Sequence, residues 1–251
     1  MLEVTGLSKS FGALQALDRV DLRIKDGCIH GIIGPNGSGK TTFFNCITGM
    51  LRPDTGTIRF DSDDITGWPP QKIANRGIRR TFQAGKLIPG MTVIANVMSG
   101  INDTVGQAAR DAVFRLPFVP SRRESEIREQ AYHILGMIGL EAAAERWASD
   151  LVWTERQLVQ IARALISRPR LLLLDEPASG MGAKEMEKVE EIIRRIREMG
   201  VTIAVVSHDV KMLMDLSDWV TVLNFGQRIA EGVPEQIQKD PRVLEAYLGT
   251  E

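Results

Sequence analysis

The chain has little of what marks a secreted, membrane-spanning or polyanion-binding protein. Cysteine is nearly missing: Cys28 and Cys46 are the two in 251 residues. Both sit in apolar surroundings, so they read as small core residues of a protein in a reducing compartment, not as a disulfide. Charge of one sign is missing too. With 31 basic and 32 acidic residues the net charge is −1, which leaves no overall basic field for nucleic acid or an anionic membrane. Long hydrophobic runs are missing: Leu171–Leu174 is of strand length, far short of the roughly 20 residues a membrane-spanning helix needs. Near the N-terminus Glu3, Thr5, Ser8 and Lys9 break any apolar stretch, so the layout of a signal peptide is not expected. There is no internal repeat and no low-complexity tract. What is left is an ordinary globular composition, 43% hydrophobic and 25% charged, expected in the cytosol and able to dock on a membrane protein. Its length suits one large α/β domain or a domain with an added lobe.

The most informative stretch is Gly34-Pro35-Asn36-Gly37-Ser38-Gly39-Lys40-Thr41. It fits the phosphate-loop pattern of Gly, four residues, Gly, Lys, then Ser or Thr. Glycines let successive backbone N–H groups curl around phosphate oxygens. Lys40 can reach the outer phosphates, and the Thr41 hydroxyl can sit on Mg²⁺. The context agrees. Cys28 to Ile33 reads as a short buried strand, and Thr41-Thr42 begins a helix running to Ile47, whose N-terminus would favour an anion.

Alternating apolar and polar residues over Leu2–Leu7 and Leu14–Ile24 predict half-buried antiparallel strands. Thr57–Phe60 predicts another. From about Pro70 to Ser167 the texture predicts mostly helix, with Ile127, Ala131, Ile134, Leu135 and Ile138 on one face. Leu171–Leu174 and Val201–Val206 then read as buried strands on either side of an amphipathic helix, Lys184–Met199. Trp219–Leu223 and Arg228–Ala230 could form a hairpin. Strand–helix–strand alternation implies a parallel sheet with helices on its faces. The helical stretch implies a second lobe inserted into the first.

Leu171–Leu174 ends in Asp175-Glu176. At the C-terminal end of a parallel strand beside the phosphate loop, Asp175 can hold Mg²⁺ through water, and Glu176 can polarise an attacking water. With these residues on the page the chain resembles the ATP-binding cassette ATPases of membrane transporters, in order and over nearly its whole length. The resemblance implies an α/β fold: a P-loop NTPase core with a mostly parallel sheet, an antiparallel β subdomain and an inserted helical subdomain. It implies a core of residues 1–85 and 160–251 and a helical lobe of 86–159 that meets membrane subunits. It places Phe11 where the family stacks an aromatic on adenine, and Gly34 through Thr42 around the phosphates. It places Gln83, in Thr81-Phe82-Gln83, at Mg²⁺ and the link between lobes. Asp175-Glu176-Pro177 is the acid pair, and His208, in Ser207-His208-Asp209, is the switch histidine. Glu176, His208 and Gln83 would carry the chemistry; Thr41, Gln83 and Asp175 would hold the metal.

Arg80-Thr81-Phe82-Gln83, Met91-Thr92-Val93, Asn96-Val97, the long connection Ser99–Arg123 and the ending Gly232–Ile237 with Ala246–Gly249 are similar to the branched-chain amino-acid uptake ATPases. That resemblance implies ATP and Mg²⁺, a second ATPase subunit, two transmembrane permease subunits and a solute-binding protein. It implies a place on the cytoplasmic face of the membrane and no nucleic-acid partner. The alternatives are a nucleotide-binding regulatory subunit with little hydrolysis and a non-transport cassette ATPase acting on DNA or the ribosome.

Two segments depart from the family's pattern. Its signature, Leu-Ser-Gly-Gly-Gln, or Leu-Ser/Ala-Tyr-Gly-Gln in the branched-chain group, falls on Leu151-Val152-Trp153-Thr154-Glu155, where Trp153 is tolerable in place of the tyrosine. Val152 removes a hydroxyl, and Thr154 puts a β-branched side chain where a glycine approaches a γ-phosphate. Ser179-Gly180-Met181-Gly182 lacks the acid or asparagine that usually ends that loop. In the family each ATP lies between one chain's phosphate loop and the other chain's signature. A heterodimer with a chain carrying an intact signature is therefore expected.

Overall fold

A computed structural model describes residues 1–81, 87–101 and 122–248. The chain divides into two compact units, Met1–Gln83 with Arg170–Glu251, and Ala84–Pro169. The boundaries expected from sequence were 85/86 and 159/160; here the whole helix Trp153–Leu165 belongs to the inserted unit.

The first unit holds two sheets. One is antiparallel, in the order β2-β1-β4-β5, from β1 (Leu2–Phe11), β2 (Leu14–Ile24), β4 (Thr55–Phe60) and β5 (Asp63–Asp64). The other has the order β10-β9-β3-β8-β7-β6, from β3 (Ile29–Ile33), β6 (Ile78–Arg80), β7 (Leu171–Asp175), β8 (Thr202–Val206), β9 (Trp219–Asn224) and β10 (Gln227–Gly232). Strands β6, β7, β8, β3 and β9 are parallel, and β10 turns back antiparallel through Phe225-Gly226. All five residues of β3, β7 and β8 are buried. That explains why they read as continuous apolar runs and not as alternation.

The helix Lys40–Ile47 packs in the core between the inner faces of these sheets. Its Phe43 and Phe44 are fully buried with Leu17, Leu22, Ile58 and Phe60 from the first sheet and Ile32, Leu171, Leu173 and Val206 from the second. Truncating either phenylalanine to alanine would cost about 3–5 kcal/mol. It would also loosen the helix that begins at the phosphate loop. One expected helical stretch holds a strand: β6 lies inside the 70–167 region. Ile78-Arg79-Arg80 is too short and too charged to show a period, and it is the sheet's edge.

Among its described residues the second unit packs the helices Val93–Met98, Arg122–Met137 and Trp153–Leu165 together. Ile127, Ala131, Ile134, Leu135 and Ile138 are buried, as their spacing predicts. Asn96, fully buried, fastens the chain before its helix. Its Oδ1 accepts from the Ile88 N–H at 2.7 Å, and its Nδ2 donates to the Ile88 carbonyl at 3.1 Å. Leu87 is core, whereas Ile88, Met91 and Trp147 keep apolar surface exposed. No helix among the described residues is long and apolar enough to cross a membrane.

Candidate active site

Strand register assembles the site. Ile32 on β3 and Asp175 on β7 both lie opposite Val206 on β8, so the loop after β3 and the acids after β7 emerge at one edge. Ligands of open α/β sheets bind at this carboxyl edge.

The loop needs its glycines for two reasons. Gly39 has φ 102°, and a Cβ there would lie 2.5 Å from the Ala16 carbonyl oxygen. At Gly34 a Cβ would lie 2.1 Å from the Leu223 carbonyl oxygen. The turn between β9 and β10 supports the loop from outside, with the Gly226 N–H donating to the Ser38 carbonyl at 3.1 Å. Lys40 begins the helix, and its ammonium donates to the Gly34 carbonyl at 2.6 Å and the Pro35 carbonyl at 2.9 Å. Burial pushes the Lys40 ammonium below its ordinary range, and the carboxylates of Glu176 and Asp175 oppose that shift.

Glu176 turns out of β7 with φ 54°, a left-handed conformation that costs a non-glycine residue energy and clusters at functional sites. Its N–H still donates to the Val206 carbonyl at 2.8 Å. Its Oε2 lies 2.6 Å from Nδ1 of His208. A carboxylate oxygen accepts, so Nδ1 carries the proton and donates. Asp175 forms a different pair: Nη2 of Arg80 donates to its Oδ2 at 2.7 Å, with both side chains almost fully buried.

The loop from Asn36 onward, Asp175, Glu176 and His208 line one cleft of about 440 Å³. Asn36 through Thr42 form one wall, and Asp175, Glu176 and His208 another. Phe11, Leu14, Gln15, Ala16 and Phe225 stand at its apolar end. Pro35 lines instead a neighbouring cavity of about 610 Å³, with Arg228 and Arg242. Gln83 lies outside the described residues. Sequence reasoning did not assign Leu14, Gln15 or Phe225 to the cleft, and nothing in their local pattern signals it. Arg80 stood in a quoted motif, and its role needed the structure.

No cluster of three or more His, Cys, Asp or Glu among the described residues could hold a metal by itself. The donors near the loop are the Thr41 hydroxyl and the Asp175 carboxylate. That set fits Mg²⁺, which takes one or two protein oxygens and completes its shell with phosphates and water.

Elsewhere, Val152 and Trp153 are exposed at the start of the helix Trp153–Leu165. Glu155 accepts from the Val152 N–H at 3.1 Å. Gly182 precedes the helix Ala183–Glu198 in the same way, its N–H donating to Glu185 at 3.0 Å.

The sequence model of the ABC transporter family matches residues 17–179, and one for branched-chain amino acid ATP-binding cassette transporters matches 227–251. The high-affinity branched-chain amino acid transport ATP-binding protein BraF of Pseudomonas aeruginosa is 40% identical over 250 residues, covering 99% of this chain and 98% of that protein. LivG of Escherichia coli, with the same description, is 39% identical with the same coverage. Among solved structures, the ATP-binding cassette MJ1267 in its ADP conformation superposes with a TM-score of 0.86 at 33% identity, covering 100% of this chain and 99% of that one. The dimeric cassette MJ0796, bound to ADP and Pi after hydrolysis, has a TM-score of 0.77 at 28% identity, covering 93% and 99%. The chain belongs to the ABC transporter family and is one of its ATP-binding, ATP-hydrolysing cassettes.

Proposed function

We propose that this cassette drives import of branched-chain amino acids or closely related small metabolites, from the cytoplasmic face of the membrane. The carrying observation is one cleft that unites the phosphate loop with Asp175, Glu176 and His208, in a chain matched over nearly its full length by branched-chain amino acid cassettes.

Phe11 stacks on adenine, and Asn36 to Thr42 hold the phosphates. Thr41, Asp175 and Gln83 are the residues that would hold Mg²⁺, which would neutralise charge on the phosphates. Glu176 orients water for in-line attack on the γ-phosphate, and the His208 bond at 2.6 Å fixes its carboxylate. Catalysis is mostly positioning and charge stabilisation.

The inserted unit would meet two permease subunits. The exposed side chains of Ile88, Met91 and Trp147, with the Ile88 backbone fastened by Asn96, suit a short amphipathic helix. A solute-binding protein would deliver the solute to the permeases. The altered signature favours a heterodimer with a second cassette chain.

The test is uptake of labelled leucine into vesicles carrying the chain with the cassette, permease and binding-protein genes beside its own. Uptake that requires internal ATP and stops with Lys40→Ala is expected. ATP-independent uptake, or none for any branched-chain or related solute, would overturn the transport assignment. Transport without hydrolysis at this chain's site would favour the regulatory reading.

A further inference from the structure

Arg80 takes part in no step above, yet its side chain is enclosed beside the site. Its side chain is 4% exposed and that of Asp175 6%. Nη2 donates to Asp175 Oδ2 at 2.7 Å, and Nη1 donates to Asn45 Oδ1 at 2.6 Å. The guanidinium lies 5.5 Å from the ring centroid of Phe44. Phe44 and Asn45 belong to the helix that starts at Lys40, Asp175 ends β7, and Arg80 ends β6. The next residue strengthens the link: the Thr81 N–H donates to the Leu173 carbonyl at 3.0 Å. Its Oγ1 lies 3.4 Å from the Asp175 N–H.

A buried ion pair gains little stability over an apolar pair of the same size, because both charges lose water. Its value is directional. A guanidinium is a planar fork that fixes the orientation of the groups it bridges.

On the reading of Asp175 as the metal-facing carboxylate, we propose that Arg80 is a positioning residue for it. Arg80 holds one carboxylate oxygen, so that contact with the cation's water shell falls to the other. Through Asn45 it ties that carboxylate to the phosphate-loop helix, and loop and acid keep one spacing. Two cations, Lys40 in the cleft wall and Arg80 paired with Asp175, then balance Asp175 and Glu176.

The test measures Mn²⁺ binding by electron paramagnetic resonance on the full chain with a non-hydrolysable ATP analogue, and analogue binding in EDTA. Arg80→Gln should weaken Mn²⁺ by about 10–100-fold, the range for outer-shell partners of metal ligands. Binding in EDTA should not change. Asn45→Ala, which keeps the ion pair and so the fold, should weaken Mn²⁺ several-fold in the same pattern. Combining Arg80→Gln with Asp175→Asn, which leaves no lone buried charge, should give the affinity of Asp175→Asn alone. Wild-type Mn²⁺ affinity in both Arg80→Gln and Asn45→Ala, while Asp175→Asn weakens it, overturns the positioning role only. A further loss when Arg80→Gln is added to Asp175→Asn does the same. Unchanged affinity in Asp175→Asn removes the underlying reading as well.

Discussion

The phosphate-loop helix, Lys40–Ile47, and the helix Trp153–Leu165 both carry family motifs at their N-termini, and they present opposite first turns. The first is entered through Gly37, Ser38 and Gly39, with no bulk beyond a hydroxyl. The second is entered through Val152, Trp153 and Thr154, with Val152 63% and Trp153 49% exposed. A helix N-terminus attracts phosphate only if the backbone can be approached and small polar groups assist. The first turn keeps that property, and the second replaces it with apolar bulk. On the proposed reading, the difference gives one chain Lys40, Asp175, Glu176 and His208 for its own nucleotide and a poor complement for a partner's.

The largest expected effect comes from disabling the intact half. Glu176→Gln should retain nucleotide binding and slow hydrolysis by about 10²–10⁴-fold, the contribution of one acid–base group. Steady-state phosphate release from the assembled transporter measures it. Near-normal turnover would remove Glu176 from the mechanism.

Repairing the other half should act in the opposite direction. The purified chain alone should hydrolyse ATP slowly and dimerise weakly, because Val152, Trp153 and Thr154 would face both nucleotides of a homodimer. Changing them to Ser, Gly and Gly should raise activity by up to about 10², the worth of one donor aimed at transition-state charge. Analytical ultracentrifugation with ATP should show more dimer. Brisk, cooperative hydrolysis by the unmodified chain would end the heterodimer argument.

Acid should separate the two units by stability. His30 lies on β3, which feeds the phosphate loop. It is buried against the Thr221 hydroxyl at 2.8 Å, and burial pushes its imidazole down to about 3. The unfolded chain takes up that proton near pH 6.5, so stability is full above 6.5 and falls as pH drops towards 3. At pH 5 the loss should be about 2 kcal/mol, from about 1.4 kcal/mol per pH unit. Asp54, Asp64 and Asp240, held low by hydrogen bonds, add a loss that starts only as pH falls through about 3.9, the unfolded carboxylate value, and so below the pH 5 comparison. Chemical unfolding at pH 7 and pH 5 checks this, and His30→Asn should flatten the difference. An unchanged slope would assign the acid sensitivity to other groups.

Much of the core was legible because its signals are periodic or spaced. Buried parallel strands announce themselves as apolar runs, and the loop announces itself by glycine spacing. What escaped had no such carrier. β6 is three residues at a sheet edge, and two of them are arginines. Phe225 reaches the cleft only because a two-residue turn places it there. The Arg80–Asp175 pair joins residues 95 apart in sequence, and local periodicity cannot register such a contact.

The smallest expected effect isolates the second helix N-terminus from any nucleotide. Val152 occupies the N-cap with φ −72° and ψ 164° and has no side-chain acceptor for the first-turn amides. Glu155 supplies the reciprocal half of a capping box by accepting from the Val152 N–H. A serine at 152 would supply the other half at no cost in backbone conformation. Val152→Ser alone should therefore stabilise the inserted unit by about 1 kcal/mol. The side chain is exposed, so little apolar burial is lost to offset the gain. Hydrogen exchange of the helix Trp153–Leu165 reads the effect directly, and amides of β3 serve as the control in the other unit. Slower exchange in the helix, with β3 unchanged, would show that valine here gives up stability as well as a phosphate donor. Equal exchange in both proteins would show that the helix start is already satisfied, and would leave ligand contact as the sole consequence of the change.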